Sequence, residues 1–153
     1  MAVSEHPTLR FAVAEFESTA DVEKALNTLT SGGKPLNDIS YLGLDRVLAD
    51  KSAQARHSVR RLFFPGNLQP IACTAGPVAD RLAGQLQVGA ATLNAALGRW
   101  LIARHAAHLQ RVVEDGKILL WVQLFDDDDE KRAYQSLLAT SANSVGVHDL
   151  VGA

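Results

Sequence analysis

The chain has 153 residues and a mass of 16.4 kDa, the size of one domain. Apolar residues make up 47% and charged residues 21%, a balance that excludes an intrinsically disordered chain. The formal charge of -2 argues against a dedicated nucleic-acid-binding protein, and the single cysteine excludes an internal disulfide framework. The first seven residues contain no basic region followed by an apolar run, so we expect a cytoplasmic protein.

The first third of the chain predicts a strand, a helix and a second strand. Large apolar residues alternate with other residues from position 9, the period of two that is typical of a half-buried strand. Residues 18–21, Ser-Thr-Ala-Asp, precede an apolar stripe with helical spacing, and a hydroxyl in this segment is a suitable cap for the start of a helix. Gly32 and Gly33 end that helix, because glycine tolerates the left-handed conformation at a helix C-terminus. The second strand follows at residues 39–44.

The middle region, residues 45–115, is predicted to be a helical insertion of two or three helices. One helix begins at Pro77, a favourable first residue, and another runs over residues 100–114. The weakly charged stretch 82–98 has 17 residues, the lower limit for a membrane span, but it includes glutamine, threonine and asparagine. We interpret it as a buried or interface helix, and membrane association stays open as the less favoured alternative.

The last third repeats the order of the first. Residues 118–125 form the most apolar stretch of the chain, which predicts a central strand. The acidic residues 126–130 then open a helix, because carboxylates stabilise the positive end of the helix dipole. A last strand is predicted over residues 143–148, with Val145 and Val147 on one side.

Two strand–helix–strand halves, residues 8–44 and 116–150, predict an α+β fold. They combine into a ferredoxin-like, four-stranded antiparallel sheet with both helices on one face. The second face of such a sheet would be bare and apolar, so something must cover it. Either the middle region covers it or a second copy of the chain does.

These patterns resemble the small bacterial heat-induced or general stress protein family. The resemblance is carried by the capped helix with its Gly-Gly stop, the Gly-Lys-Ile-Leu-Leu-Trp-Val strand, the acidic helix start and the Val-x-Val-His-Asp strand. It covers residues 9–44 and 100–150. Because the family has no assigned catalytic activity, the resemblance implies a stress-related or accessory role and gives no functional residue to carry over.

Two histidines have the spacing of metal ligands. His105 and His108 are three residues apart on a predicted helix, so they share one face. Glu114 or His148 is a candidate third ligand. The alternative is that the two imidazoles are solvated or partly buried on a surface helix without a metal.

Three other features have both a chemical and a structural interpretation. The acidic residues 126–130 could bind a metal ion, but a helix cap explains their position without a ligand. The basic segment 56–61 is followed by aromatic residues, a pattern of single-strand binding, but a solvated face is the better interpretation in an acidic chain. Cys73 lies shortly before a helix start, where a thiolate could be stabilised, yet a buried filler is more frequent.

The sequence therefore predicts a protein without catalytic activity and without a cofactor. We expect a homo-oligomer, most simply a dimer, that acts through its helical insertion or its sheet face and has a possible further protein partner but no nucleic-acid partner. The predicted interface residues are Trp100, Trp121, Phe63, Phe64, Gly89 and Gly98. A small-molecule-binding regulatory module is the main alternative, and a metal-dependent enzyme that uses His105, His108 and the acidic residues is a weaker one.

Overall fold

A computed structural model describes residues 8–48, 59–67, 69–74, 76–140 and 143–151. Its strands are β1 (Thr8–Phe16), β2 (Ile39–Leu44), β3 (Val59–Leu62), β4 (Ile71–Thr74), β5 (Ile118–Leu124) and β6 (Ser144–Val151). They form one antiparallel sheet in the order β3-β4-β2-β5-β1-β6. The α+β class is confirmed, but the four-stranded sheet is not matched exactly, because the sheet has six strands.

The helices of the described residues are α1 (Thr19–Ser31), α2 (Asp45–Leu48), α3 (Pro77–Gln87), α4 (Leu93–Leu97), α5 (Ala103–Glu114) and α6 (Asp127–Leu138). The cap predicted for α1 is confirmed, since the Ser18 hydroxyl accepts a hydrogen bond of 3.2 Å from the amide of Asp21. Gly33 has a φ of 96°, the left-handed conformation that suits glycine after a helix end. None of the helices in the described residues is long and apolar enough to cross a membrane.

The strands of the two predicted halves lie side by side. β1 pairs with β5 and β6, and β5 also pairs with β2. Phe11 of β1 and Trp121 of β5 lie in this shared sheet with their ring centroids 5.9 Å apart and the rings nearly perpendicular. Such edge-to-face pairs add about 0.5–1.5 kcal/mol beyond the area that they bury. The first and last thirds therefore share one sheet, as predicted.

Alternation along the strands separates two apolar layers. Ala12, Ala14 and Phe16 of β1 face the layer formed with α1 and α6, whereas Phe11 and Val13 face the layer formed with α3, α4 and α5. Helices therefore cover both faces of the sheet. The chain's own middle region, rather than a second copy, covers the face that the sequence analysis left open.

The middle region differs from its prediction in one respect. It contributes three helices to the sheet face, but it also adds β3 and β4 to the sheet beside β2. All four residues of β4 are buried, so this short apolar segment gains both burial and backbone pairing with β2. The insertion is therefore mixed and not only helical.

The predicted helix boundaries in the middle region also shift. The stretch 82–98 is divided between α3 and α4, because Gly89 has a φ of 96° and Thr92 caps the next helix by accepting from the Ala95 amide at 3.0 Å. α5 begins at Ala103 and not at Trp100.

Candidate functional site

The structure places the two predicted metal ligands on α5, beside β1 and β6. His108 Nε2 lies 3.0 Å from Oε2 of Glu15, a mostly buried carboxylate of β1. The ring of His105 contacts the ring of His148 on β6, with a centroid distance of 5.1 Å. His148, one of the two candidate third ligands, is therefore next to His105, whereas Glu114 accepts a hydrogen bond from a glutamine of its own helix.

Through these contacts, His105 and His108 connect α5 with strands β6 and β1. Burial lowers the pKa of His148 below the ordinary 6.5, and the neighbouring His105 and His108 lower it further against the opposing effect of Asp149. A neutral His148 can pack against His105 without charge repulsion. Among the residues that the structure describes, no group of three or more histidine, cysteine or acidic side chains could hold a metal ion. Metal binding by His105 and His108 stays a prediction.

The acidic residues at 126–130 cap helix α6. Asp126 Oδ1 accepts a hydrogen bond of 2.7 Å from the amide of Asp129, and Asp129 Oδ2 accepts one of 3.0 Å from the amide of Phe125. These two bonds satisfy two amides near the start of the helix. The pattern differs from a capping box in that Asp129 accepts from the residue before the N-cap Asp126. The capping interpretation is confirmed for these two carboxylates.

A lysine distant in sequence completes this arrangement. The side chain of Lys34 is only 8% exposed, and its Nζ lies 2.6 Å from Asp129 Oδ2 and 3.7 Å from Asp38 Oδ2. The same Nζ is 5.0 Å from the centroid of the Phe125 ring, within the range of a cation–π contact. Lys34 thereby joins the loop after α1 to the start of α6.

Phe125 stands between two concave regions at this end of the sheet. A cavity of about 510 Å³ lies on the α1 side and is lined by Lys34, Asp38 and Arg132 among others. A groove of about 340 Å³ lies on the β1 side, next to Arg10. Phe125 lines both and is 65% exposed. Water therefore surrounds most of a large aromatic side chain that two adjoining recesses share.

Carboxylates outnumber cations around Phe125. We call this region the acidic end and define it by the charged residues that line the two recesses: Asp38, Asp126, Asp127, Asp129 and Glu130, with Arg10, Lys34 and Arg132. The positive charge of Lys34 is balanced by its ion pairs with Asp38 and Asp129. Arg10 Nε lies 3.2 Å from Glu130 and 3.3 Å from Asp149. The acidic end therefore presents a negative surface with an apolar centre.

The described part of the basic segment forms ion pairs within the chain. Arg60 contacts Asp80 at 3.3 Å and Arg61 contacts Asp45 at 3.1 Å. Phe63, which follows them, is 63% exposed at the β3 edge of the sheet. Residues 56–58 of the segment lie outside the described residues.

Two of the predicted interface residues are buried inside the chain. Trp121 is fully buried and Phe64 is 4% exposed, so neither can contact a partner in this fold, which corrects their assignment. The reason is that both belong to the apolar layer beneath the middle region, and Trp100 is partly buried against the same layer. Gly89 supports the turn after α3 and Gly98 ends α4, and both are exposed, so their assignment to an interface stays a prediction.

Cys73 is a buried filler and not an activated thiol. It is fully buried in β4, and desolvation together with the nearby charge of Asp80 raises its pKa to about 12. A thiolate is therefore almost absent at neutral pH.

No sequence motif marks Glu15, Lys34 or Phe125 as a site residue. A lone glutamate in a strand and a lone lysine after a glycine pair carry no motif, and Phe125 was assigned to the end of the central strand, which ends at Leu124. The exposure of a phenylalanine directly after a buried strand is visible only in three dimensions.

No family model matches this chain, and searches of curated proteins and of solved structures find no significant match. The functional proposals below therefore depend on the chain's own residues.

Proposed function

We propose that this chain is a non-enzymatic interaction protein whose acidic end binds a basic, extended segment of a partner protein. The exposure of Phe125 between two recesses lined by an excess of carboxylates supports the proposal most directly. An aromatic side chain with polar residues around it is typical of the energetic centre of a binding surface, where the partner removes it from water.

The chemistry of the partner follows from the charges. Arginine and lysine side chains combine a cationic head with an apolar stem, so they suit carboxylates beside an aromatic ring. Of the acidic residues, Asp127 is exposed and lines the groove without a contact that ties it to the helix cap. A second basic side chain could occupy the cavity on the other side of Phe125.

An interaction role fits the state of the reactive groups better than catalysis does. Asp126 and Asp129 are occupied by the helix cap, Lys34 is held by two carboxylates, and Cys73 is buried with a raised pKa. These groups stabilise the fold, and their positions are explained without a reaction.

We also propose that the core is ferredoxin-like. The neighbouring strands β2, β5, β1 and β6 hold the order expected of two such halves, and α1 and α6 share one face. β3 and β4 extend this core beyond β2.

A peptide-binding experiment tests the docking proposal. The probe is a labelled peptide of alternating arginine and leucine, and its counterpart with glutamate in place of arginine is the charge control. Binding of the basic probe, measured by fluorescence anisotropy, should weaken by at least about tenfold in Phe125→Ala, as expected for an anchor residue. Phe63→Ala is the matched control, because Phe63 is similarly exposed but follows the edge strand β3 and lines neither recess.

Asp127→Asn, made in the wild-type chain, should also weaken binding of the basic probe and should reduce the dependence of this binding on salt. Equal affinity of the wild type and Phe125→Ala for the basic probe would show that the acidic end is not the docking surface. Equal binding of the acidic probe would refute charge recognition.

A small-molecule-binding function is the second candidate, and the cavity volume favours it. About 510 Å³ lies within the usual range of ligand pockets, and the surrounding charges suit an organic cation. A thermal-shift series with polyamines should then stabilise the wild type but not Phe125→Ala. Stabilisation of both proteins to the same extent would contradict a specific site.

A further inference from the structure

Strand β6 forms one edge of the sheet and is paired with β1 along its whole length. It pairs with β1 in one continuous register over eight residue pairs, from Thr8 with Val151 to Glu15 with Ser144. Within the described ranges, no strand pairs with the other edge of β6. Edge strands are normally protected by charged side chains, proline or a bulge. β6 has no proline, lysine or bulge, and its one charged side chain, Asp149, is paired with Arg10 of the neighbouring strand β1. Its outer backbone groups can therefore accept another strand.

Helix α6 exposes apolar side chains along the flank that adjoins β6. Tyr134 is 37% exposed and Leu138 is 59% exposed, and the two are one helical turn apart. Glu130, one turn earlier, contacts Arg10 of β1, which also contacts Asp149 of β6. Residues on the opposite flank of α6 line the cavity beside α1. The exposed tyrosine and leucine are thus on the side of the sheet edge.

The same apolar surface continues onto β6 itself. Val145 and Val147 are half-buried against the layer that α1 and α6 form, so they lie on the α6 side of the sheet. Together with Tyr134 and Leu138 they make an apolar strip beside the strand edge, which we call the β6 strip. A partner that pairs with β6 and also covers the β6 strip would need a strand with an apolar surface beside it, in the arrangement that β6 and α6 have here.

The charges at this edge are compatible with a second copy. Asp149, which is the one charged carboxylate of β6, is paired with Arg10 of the same chain at 3.3 Å. When antiparallel pairing centres on Val147, each Asp149 lies opposite Val145 of the second copy, so the two carboxylates do not face each other. A two-fold axis also brings two identical apolar strips together.

We propose that β6 pairs with β6 of a second copy of this chain, in antiparallel orientation, and that the two β6 strips pack together. The two six-stranded sheets then continue into one sheet across the two-fold axis. This inference goes beyond the docking function of the acidic end and does not rest on it. Edge pairing satisfies the outer backbone groups of β6, and packing of Tyr134 and Leu138 removes apolar surface from water.

The mass in solution tests the proposal. Light scattering after size-exclusion chromatography should give about 33 kDa, twice the chain mass of 16.4 kDa, for the full-length protein. Leu138→Arg should raise the dissociation constant by at least about tenfold, because it puts two like charges at the symmetric contact. Val88→Arg is the matched control, since Val88 is 76% exposed and follows α3 on the other side of the molecule.

Hydrogen exchange then locates the contact. The peptide that contains residues 143–151 should exchange more slowly as the wild-type protein is concentrated over about a hundredfold range, and this effect should disappear in Leu138→Arg. A monomeric mass throughout that range would overturn the proposal. A dimer that Leu138→Arg and Val88→Arg affect equally would also overturn it, whereas failure of peptide docking at the acidic end would leave it unchanged.

Discussion

Replacing Asp129 by asparagine separates the two functions of this carboxylate. The amide oxygen of asparagine can still accept the hydrogen bond from the Phe125 amide, so the helix cap is retained. The negative charge that neutralises the nearly buried Lys34 at 2.6 Å is lost. Of its two ion pairs, Lys34 keeps only the longer one, with Asp38 at 3.7 Å.

The expected cost of Asp129→Asn lies between two limits. An exposed ion pair contributes less than about 1 kcal/mol, whereas loss of one partner of a fully buried pair costs about 3–5 kcal/mol. The side chains of Lys34 and Asp129 are 8% and 15% exposed but adjoin an open cavity, so we expect about 2–3 kcal/mol. For a domain of this length that corresponds to a decrease in Tm of about 4–12 °C.

Urea denaturation followed by tryptophan fluorescence measures this cost, because Trp121 is fully buried in the folded chain. Asp128→Asn is the control, since it makes the same charge change in the first turn of α6 at an exposed position. It should shift the free energy of unfolding by less than about 0.5 kcal/mol. Equal losses in the two variants would refute the reasoning, because a general effect on the helix dipole would then account for both.

Three further predictions follow from other parts of the fold. The thiol of Cys73, with its pKa raised to about 12, should not react with a thiol reagent at pH 8 until urea unfolds the chain, and rapid labelling of the folded protein would contradict its burial. Because the pKa of His148 is lowered in the folded chain, its contribution to stability is present above pH 6.5 and is lost as pH falls below that value, by at most about 1.4 kcal/mol per pH unit. The urea midpoint of His148→Gln should therefore depend less on pH than that of the wild type. The same dependence of the midpoint on pH in both proteins would contradict this. Gly76→Ala should destabilise the fold by about 1–3 kcal/mol, because φ is +154° and the new Cβ would lie 2.4 Å from Ser40 Oγ. Gly84→Ala should raise Tm, because Gly84 lies inside α3 with open space around it. A similar Tm for the two variants would show that Gly76 is not constrained.

The site could be anticipated only where its signal is local. The capping function of Asp126 and Asp129 was predictable, because the donor amides are within four residues of each carboxylate. Lys34 and Asp129 are 95 positions apart in the sequence, and His108 and Glu15 are 93 apart, so no local sequence pattern predicts either contact. Phe125 was indistinguishable from a strand residue until the end of the sheet was located.

The sequence by itself determined the two strand–helix–strand halves. Their alternation, the Ser18 cap and the glycine stop after α1 are properties of neighbouring residues and of the backbone conformations that they allow. Tertiary structure decided how the middle region is used. β4 becomes a strand because β2 offers it an unsatisfied edge, and β3 in turn pairs with β4. Helices α3 to α5 cover the second sheet face because its apolar side chains would otherwise contact water. Local patterns fix the elements, but the competition for backbone partners and for apolar burial is settled only when distant segments meet.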